Sequence, residues 1–215
     1  MANIKACIFD LDGVIVDTAK YHYLAWKRLA NELGFDFTEK DNEKLKGVSR
    51  MESLEILLNL GNIKVDEETK LKLAEKKNNW YRELISKMDE SEILPRVKEF
   101  INELKNSNIK VAIGSSSKNT MTILNSIKMT DFFDAIIDGN KITKAKPDPE
   151  VFLLGAEALG VNPNECVVFE DAESGIKAAK NAGMYAVGIG SNEILKEADK
   201  VIPNTNSLTL DIINF

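Results

Sequence analysis

Histidine and cysteine are nearly missing from these 215 residues, which hold one His and two Cys. With His22 alone and no close cysteine pair, a zinc site is not expected. Cys7 and Cys166 both sit in apolar runs, so they are expected as reduced, buried core residues in a reducing compartment. Positive charge is not in excess either: 28 basic side chains against 34 acidic ones leave a net charge of -6. No broad field therefore exists to hold nucleic acid or an anionic membrane, and an anionic substrate needs a metal or a few placed cations. No apolar run is long enough to span a bilayer. Asp10 and Asp12 interrupt the apolar stretch that a signal peptide would need. There is no fixed-period repeat and no low-complexity linker. The expectation is a cytoplasmic, monomeric globular enzyme without nucleic-acid or membrane partners.

What is present alternates. Short apolar runs at Ile4 to Phe9, Val111 to Gly114, Ala135 to Ile137, Cys166 to Phe169 and Ala186 to Ile189 read as buried strands. Helical patterns separate them. Pro95 opens one with Val97, Phe100, Ile101 and Leu104 on a face. A second runs from Pro149 to Leu159 and stops at Gly160, and a third from Ser174 to Asn181 stops at Gly183. This alternation predicts an α/β fold with a doubly wound parallel sheet. Between Asp17 and about Met88 only helical periodicity is found. Ala25, Trp26, Leu29 and Leu33 form one stripe, and Ser49 with Glu52 has capping-box spacing before a leucine run that ends at Gly61. Asp66 begins a long helix carrying Ala74, Tyr81, Leu84, Ile85 and Met88. The expected organisation is a core of residues 1–16 and 89–215 with an inserted all-helical cap, 17–88.

Four segments put chemistry at strand ends, where α/β sheets bind ligands. Phe9-Asp10-Leu11-Asp12-Gly13 offers a carboxylate able to attack phosphorus and a neighbour able to handle protons. Gly114-Ser115-Ser116-Ser117-Lys118-Asn119 offers hydroxyls and N–H groups leading into a helix. In Lys144-Ala145-Lys146-Pro147, the proline restrains a lysine that can offset phosphate charge. Val168-Phe169-Glu170-Asp171 ends an apolar strand in two hard oxygen donors suited to Mg²⁺. Taken singly, each also fits a solvated strand end or an ordinary serine cap. Four such ends in one sheet fit a shared site.

In this order the segments resemble the haloacid dehalogenase superfamily of aspartate-based phosphotransferases, over essentially the whole chain. The resemblance implies Asp10 as nucleophile, Asp12 as general acid/base, Ser115 and Lys146 as contacts of the transferring phosphoryl group, and Mg²⁺ held by Asp10, the Asp12 carbonyl and Asp171 with Glu170 close by. It also implies a cap inserted directly after Asp12.

In the cap, Thr18-Ala19-Lys20-Tyr21-His22-Tyr23-Leu24-Ala25-Trp26, Leu45-Lys46-Gly47-Val48-Ser49-Arg50 and Lys77-Asn78 resemble the sugar-phosphate mutases of that superfamily. This implies substrate contacts from Thr18, His22, Trp26, Lys46, Gly47, Val48, Ser49, Arg50 and Lys77, joined by Ser116, Ser117, Lys118 and Asn119 of the core. Lys77 falls on the apolar arc of its helix, where an ammonium needs a partner. Lys46 and Arg50 suit a second phosphate. The implied activity is interconversion of β-glucose 1-phosphate and glucose 6-phosphate through a bisphosphate, with a phosphorylated hexose as partner. A phosphatase of the same superfamily is the alternative, and a non-catalytic sugar-phosphate binder a third.

Overall fold

In the computed structural model, residues 3–45 and 48–215 are described. The chain divides into two compact units, Met1–Asp17 with Met88–Phe215, and Thr18–Lys87.

The first unit is built on six strands: β1 (Ala6–Phe9), β2 (Lys110–Gly114), β3 (Ala135–Ile137), β4 (Cys166–Glu170), β5 (Tyr185–Ile189) and β6 (Lys200–Ile202). All pair in parallel, in the order β3-β2-β1-β4-β5-β6. β1 and β4 are buried at every residue, as strands covered on both faces must be. The order reverses beside β1, so the crevice at its carboxyl end is the natural ligand site of such a sheet.

Helices α5 (Val97–Asn106), α6 (Thr120–Ser126), α7 (Glu150–Leu159) and α8 (Glu173–Asn181) complete this unit. α5 buries Val97, Phe100, Ile101 and Leu104, the face expected from their spacing. α7 ends where Gly160 takes φ 64°, a left-handed cap that glycine adopts without strain. One face of the sheet gathers Ala6, Ile8, Ala112, Cys166 and Val168 against Val151, Phe152 and Ala156 of α7 and Ile176 and Ala179 of α8. On the rim, Lys141 Nζ donates to the Ile136 carbonyl of edge strand β3 at 2.6 Å.

The second unit holds α1 (Ala19–Glu32), α2 (Glu39–Glu43), α3 (Arg50–Leu60) and α4 (Glu67–Ile85), and its described residues form no strand. α3 begins with the expected capping box: Ser49 Oγ accepts from Glu52 N, and Glu52 Oε2 accepts from Ser49 N at 2.9 Å. α4 begins at Asp66, whose carboxylate accepts from Thr69 N at 2.8 Å. It stops at Ile85, so Met88 is not on this helix and belongs to the first unit. Among the described residues, no helix is long and apolar enough to cross a membrane.

Candidate active site

Asp10 follows β1 directly, and its N–H donates to Phe169 O at 3.0 Å, so the sheet ladder fixes its backbone. The chain then closes a tight loop. Ile15 and Val16 both donate to Leu11 O, and Gly13 N donates to Val16 O at 2.7 Å. Gly13 takes φ 79°, and a Cβ there would lie 2.1 Å from Asp171 Oδ2. Glycine is required twice over, for the turn and for the approach of that carboxylate.

Lys146 is the hub. Its Nζ donates to Asp10 Oδ1 at 2.5 Å and to Glu170 Oε1 at 2.6 Å, and it lies 4.7 Å from the ring centre of Phe152. All three charged side chains are largely removed from water. Burial works against the ammonium, but Asp10 and Glu170 outweigh it and hold its pKa above the usual lysine range. Lys146 therefore stays charged at any physiological pH.

Glu170 is 1% exposed at the end of β4. Burial pushes its carboxyl up, Lys146 opposes this, and Asp10 adds to it. Oε1 is engaged by Lys146, and Oε2 accepts from Ala172 N at 2.8 Å. Both Glu170 oxygens are thus engaged, one by the lysine and one by the loop backbone. Gly175 of α8 makes room for it, since a Cβ there would meet Glu170 Oε1 at 1.9 Å.

Asp171 is pushed up to about 8, by removal of surrounding water first and then by the charges of Glu170, Asp10 and Asp12. The residue keeps an exposed side, which moderates the repulsion. Three carboxylates thus act on Asp171, with the Lys146 ammonium opposing them. Magnesium fits this donor set. Asp10, Asp171 and the Asp12 main-chain oxygen are hard donors, and Mg²⁺ uses one or two carboxylates with water and substrate phosphate completing the shell. Among the described residues no group of three His, Cys, Asp or Glu side chains is placed to hold a metal ion by itself.

Ser115 is 1% exposed just past β2. Its N–H donates to Ile137 O at 3.0 Å, and its Oγ accepts from Ser117 N at 3.1 Å. The hydroxyl proton therefore remains for an acceptor such as a phosphoryl oxygen. Ser117 Oγ accepts in turn from Asn119 N at 3.2 Å, and Asn119 caps α6. Ser116 and Lys118 are exposed on this loop.

In the helical unit, His22 and Trp26 share a face of α1, and Lys77 lies on α4. Lys77 is 2% exposed, with Nζ 2.8 Å from His22 Nδ1 and 4.4 Å from the Trp26 ring centre. An ammonium can only donate, so Nδ1 accepts and the neutral imidazole carries its proton on Nε2. Tyr81 stacks on His22 at 4.0 Å. Burial, then the charges of Lys77 and Arg50, push the His22 pKa well below its usual value. The apolar-arc lysine thus has a nitrogen partner and two aromatic faces, those of Trp26 and Tyr81.

Arg50 is half-buried and reaches Glu75 at 3.7 Å. Thr18 precedes α1 and is buried, Val48 is 39% exposed, and the Ser49 hydroxyl is engaged in starting α3. Lys46 and Gly47 lie outside the described residues. Sequence reasoning missed Phe152 under the lysine and the clearance at Gly175. Phe152 reads as ordinary core spacing, and a helical glycine three residues past Ala172 was the available signal.

These strand-end carboxylates around a buried lysine define a phosphotransferase-type site, and the chain belongs to the haloacid dehalogenase-like hydrolase family, whose model matches residues 7–189. It is 46% identical over 213 residues to a β-phosphoglucomutase of Bacillus subtilis, covering 98% of this chain and 94% of that one. It also resembles the crystal structure of β-phosphoglucomutase from Clostridium difficile, with a TM-score of 0.90, 47% identity, and coverage of 98% and 95%. A phosphorylated carbohydrates phosphatase of Thermotoga maritima is 35% identical over 187 residues, 86% of this chain and 84% of the relative.

Proposed function

We infer that this chain is a β-phosphoglucomutase, interconverting β-glucose 1-phosphate and glucose 6-phosphate through β-glucose 1,6-bisphosphate. The observation that carries the reading is the near-full-length 46% identity to a mutase, since phosphatases share the same core. The positive charge of Arg50 in the helical unit adds support, because a bisphosphate needs contacts for two phosphates and a simple phosphatase for one.

Asp10 carries the phosphoryl group as an acyl phosphate. A sugar hydroxyl attacks phosphorus and the bond to Asp10 Oδ breaks, while Asp12 takes the hydroxyl proton. The bisphosphate then presents its other phosphate. Asp10 attacks that phosphorus, and Asp12 returns the proton to the departing sugar oxygen. Lys146 offsets the charge of the phosphoryl oxygens against Asp10, and Ser115 donates its free proton to one of them. Glu170 keeps Lys146 charged and in place.

Bound Mg²⁺ would be held by Asp10, Asp171 and the Asp12 carbonyl with Glu170 close by, and would supply further charge neutralisation at the transferring phosphoryl group. Arg50, with Lys46, Gly47, Val48 and Ser49 and the Ser116 to Asn119 loop, is assigned to the rest of the sugar phosphate, and Thr18, His22, Trp26 and Lys77 to orienting it. A cytoplasmic location completes the reading, supported by two free, buried thiols.

The test is a product assay. With β-glucose 1-phosphate, trace bisphosphate and Mg²⁺, glucose 6-phosphate should far exceed free phosphate. Free phosphate as the main product would replace this reading by the phosphatase one.

A further inference from the structure

Lys146 can serve Asp10 only if its main chain is held, and it lies on a connection with no regular structure between β3 and α7. One residue grips that connection. Glu150, the first residue of α7, accepts from Thr143 N at 2.8 Å and Lys144 N at 2.6 Å through Oε2, and from Thr143 Oγ1 at 3.0 Å through Oε1. Both carboxylate oxygens are used, and the donors stand two and three residues before Lys146. Two further bonds close the loop behind it: Asp148 N to Ala145 O at 3.1 Å, and Asn181 Nδ2 to Pro147 O at 3.1 Å. The same helical turn supplies Phe152, whose ring lies 4.7 Å from the Lys146 ammonium. The first turn of α7 thus holds this lysine at both ends, its backbone through Glu150 and its charged tip against Phe152.

We propose that Glu150 is a positioning residue for phosphoryl transfer, acting through Lys146 by fixing the loop that aims its ammonium at Asp10. This rests on the reading of Lys146 as the cation that works beside Asp10. Charged acceptors of backbone N–H groups are among the stronger hydrogen bonds, and small displacements of a catalytic group are costly in rate. Glu150 touches no reacting atom, so its effect must vanish when Lys146 is gone. A merely structural carboxylate has no such dependence.

The experiment is a double-mutant cycle on the full chain with Mg²⁺, read on β-glucose 1-phosphate and in parallel on p-nitrophenyl phosphate. Glu150→Ala should lower kcat about tenfold to a hundredfold with KM little changed. Glu150→Gln keeps the side-chain volume and one acceptor oxygen, and should fall between it and wild type. The Lys146→Ala/Glu150→Ala double variant should match Lys146→Ala within about twofold. Losses that multiply in the double variant would overturn the proposal, and so would wild-type kcat in Glu150→Ala. Should thermal denaturation show Glu150→Ala to be unfolded, the same cycle is run with Glu150→Gln. If wild type makes no glucose 6-phosphate, the mutase reading fails, while the cycle on the aryl phosphate still decides the role of Glu150.

Discussion

In the folded chain Asp171 gives up its proton less readily than in an unfolded one, because water is removed from around it and because Glu170, Asp10 and Asp12 already place negative charge there. A carboxyl moved from 3.8 to about 8 keeps its proton in the folded state over a range where the unfolded state has lost it. The folded state therefore loses stability as pH rises through that window. The exposed side of the residue limits the size of the loss. Metal-free protein should accordingly show a Tm that falls as pH rises from about 4 to about 8, with Asp171→Asn flattening the slope. Added Mg²⁺ should raise the wild-type Tm most at the upper end, and the Asp171→Asn variant much less. A wild-type Tm indifferent to both pH and Mg²⁺ would remove Asp171 from the metal site. The acids and Lys146 were legible as residues because each ends an apolar run. Their pairing was not: nothing in the order of the segments says that Glu170 turns to the lysine and Asp171 to Gly13.

Elements that bury a whole face were readable from spacing, and several short ones were missed. β1, β2 and β4 end within a residue of the expected positions, since a covered parallel strand needs an unbroken apolar run, and the short edge strand β3 does so as well. β6 is three residues at the edge and α2 five residues long, too short for a periodic signature, and of α6 only the start was legible, from the serine loop that leads into it. α8 shows how an element serves the site. Alanine is the better helix former by about 1 kcal/mol, so Gly175→Ala would stabilise an ordinary helix. Here the added methyl would sit 1.9 Å from Glu170 Oε1. We expect urea denaturation to show a loss of about 1–3 kcal/mol instead of a gain. Turnover should fall with it, as Glu170 is pushed off Lys146. A stabilised, fully active Gly175→Ala would show that Glu170 does not need that place.

At the scale of the molecule, the two units disclosed themselves unequally. The core was legible because its chemistry is tied to strand ends. The helical unit declared its helices, yet its residues group by contacts that periodicity alone cannot supply, such as Lys77 on His22. Arg50 tests its part in function. Loss of a charge-assisted phosphate contact, about 1.5–3 kcal/mol, predicts a KM for the bisphosphate raised at least about tenfold in Arg50→Ala. Hydrolysis of p-nitrophenyl phosphate, which has a single phosphate, should be nearly unaffected. Equal losses on both substrates would argue against Arg50 as a second-phosphate ligand. Lys141 bears on a different property. An outward carbonyl of β3 is an invitation for a foreign strand to add on, and the ammonium lying on Ile136 O answers it from within the same chain. Neutralising that one amine, as acetylation does, would leave the Ile136 carbonyl open at the edge of the sheet, and Lys141 lies on the same connection that carries Lys146 five residues further on.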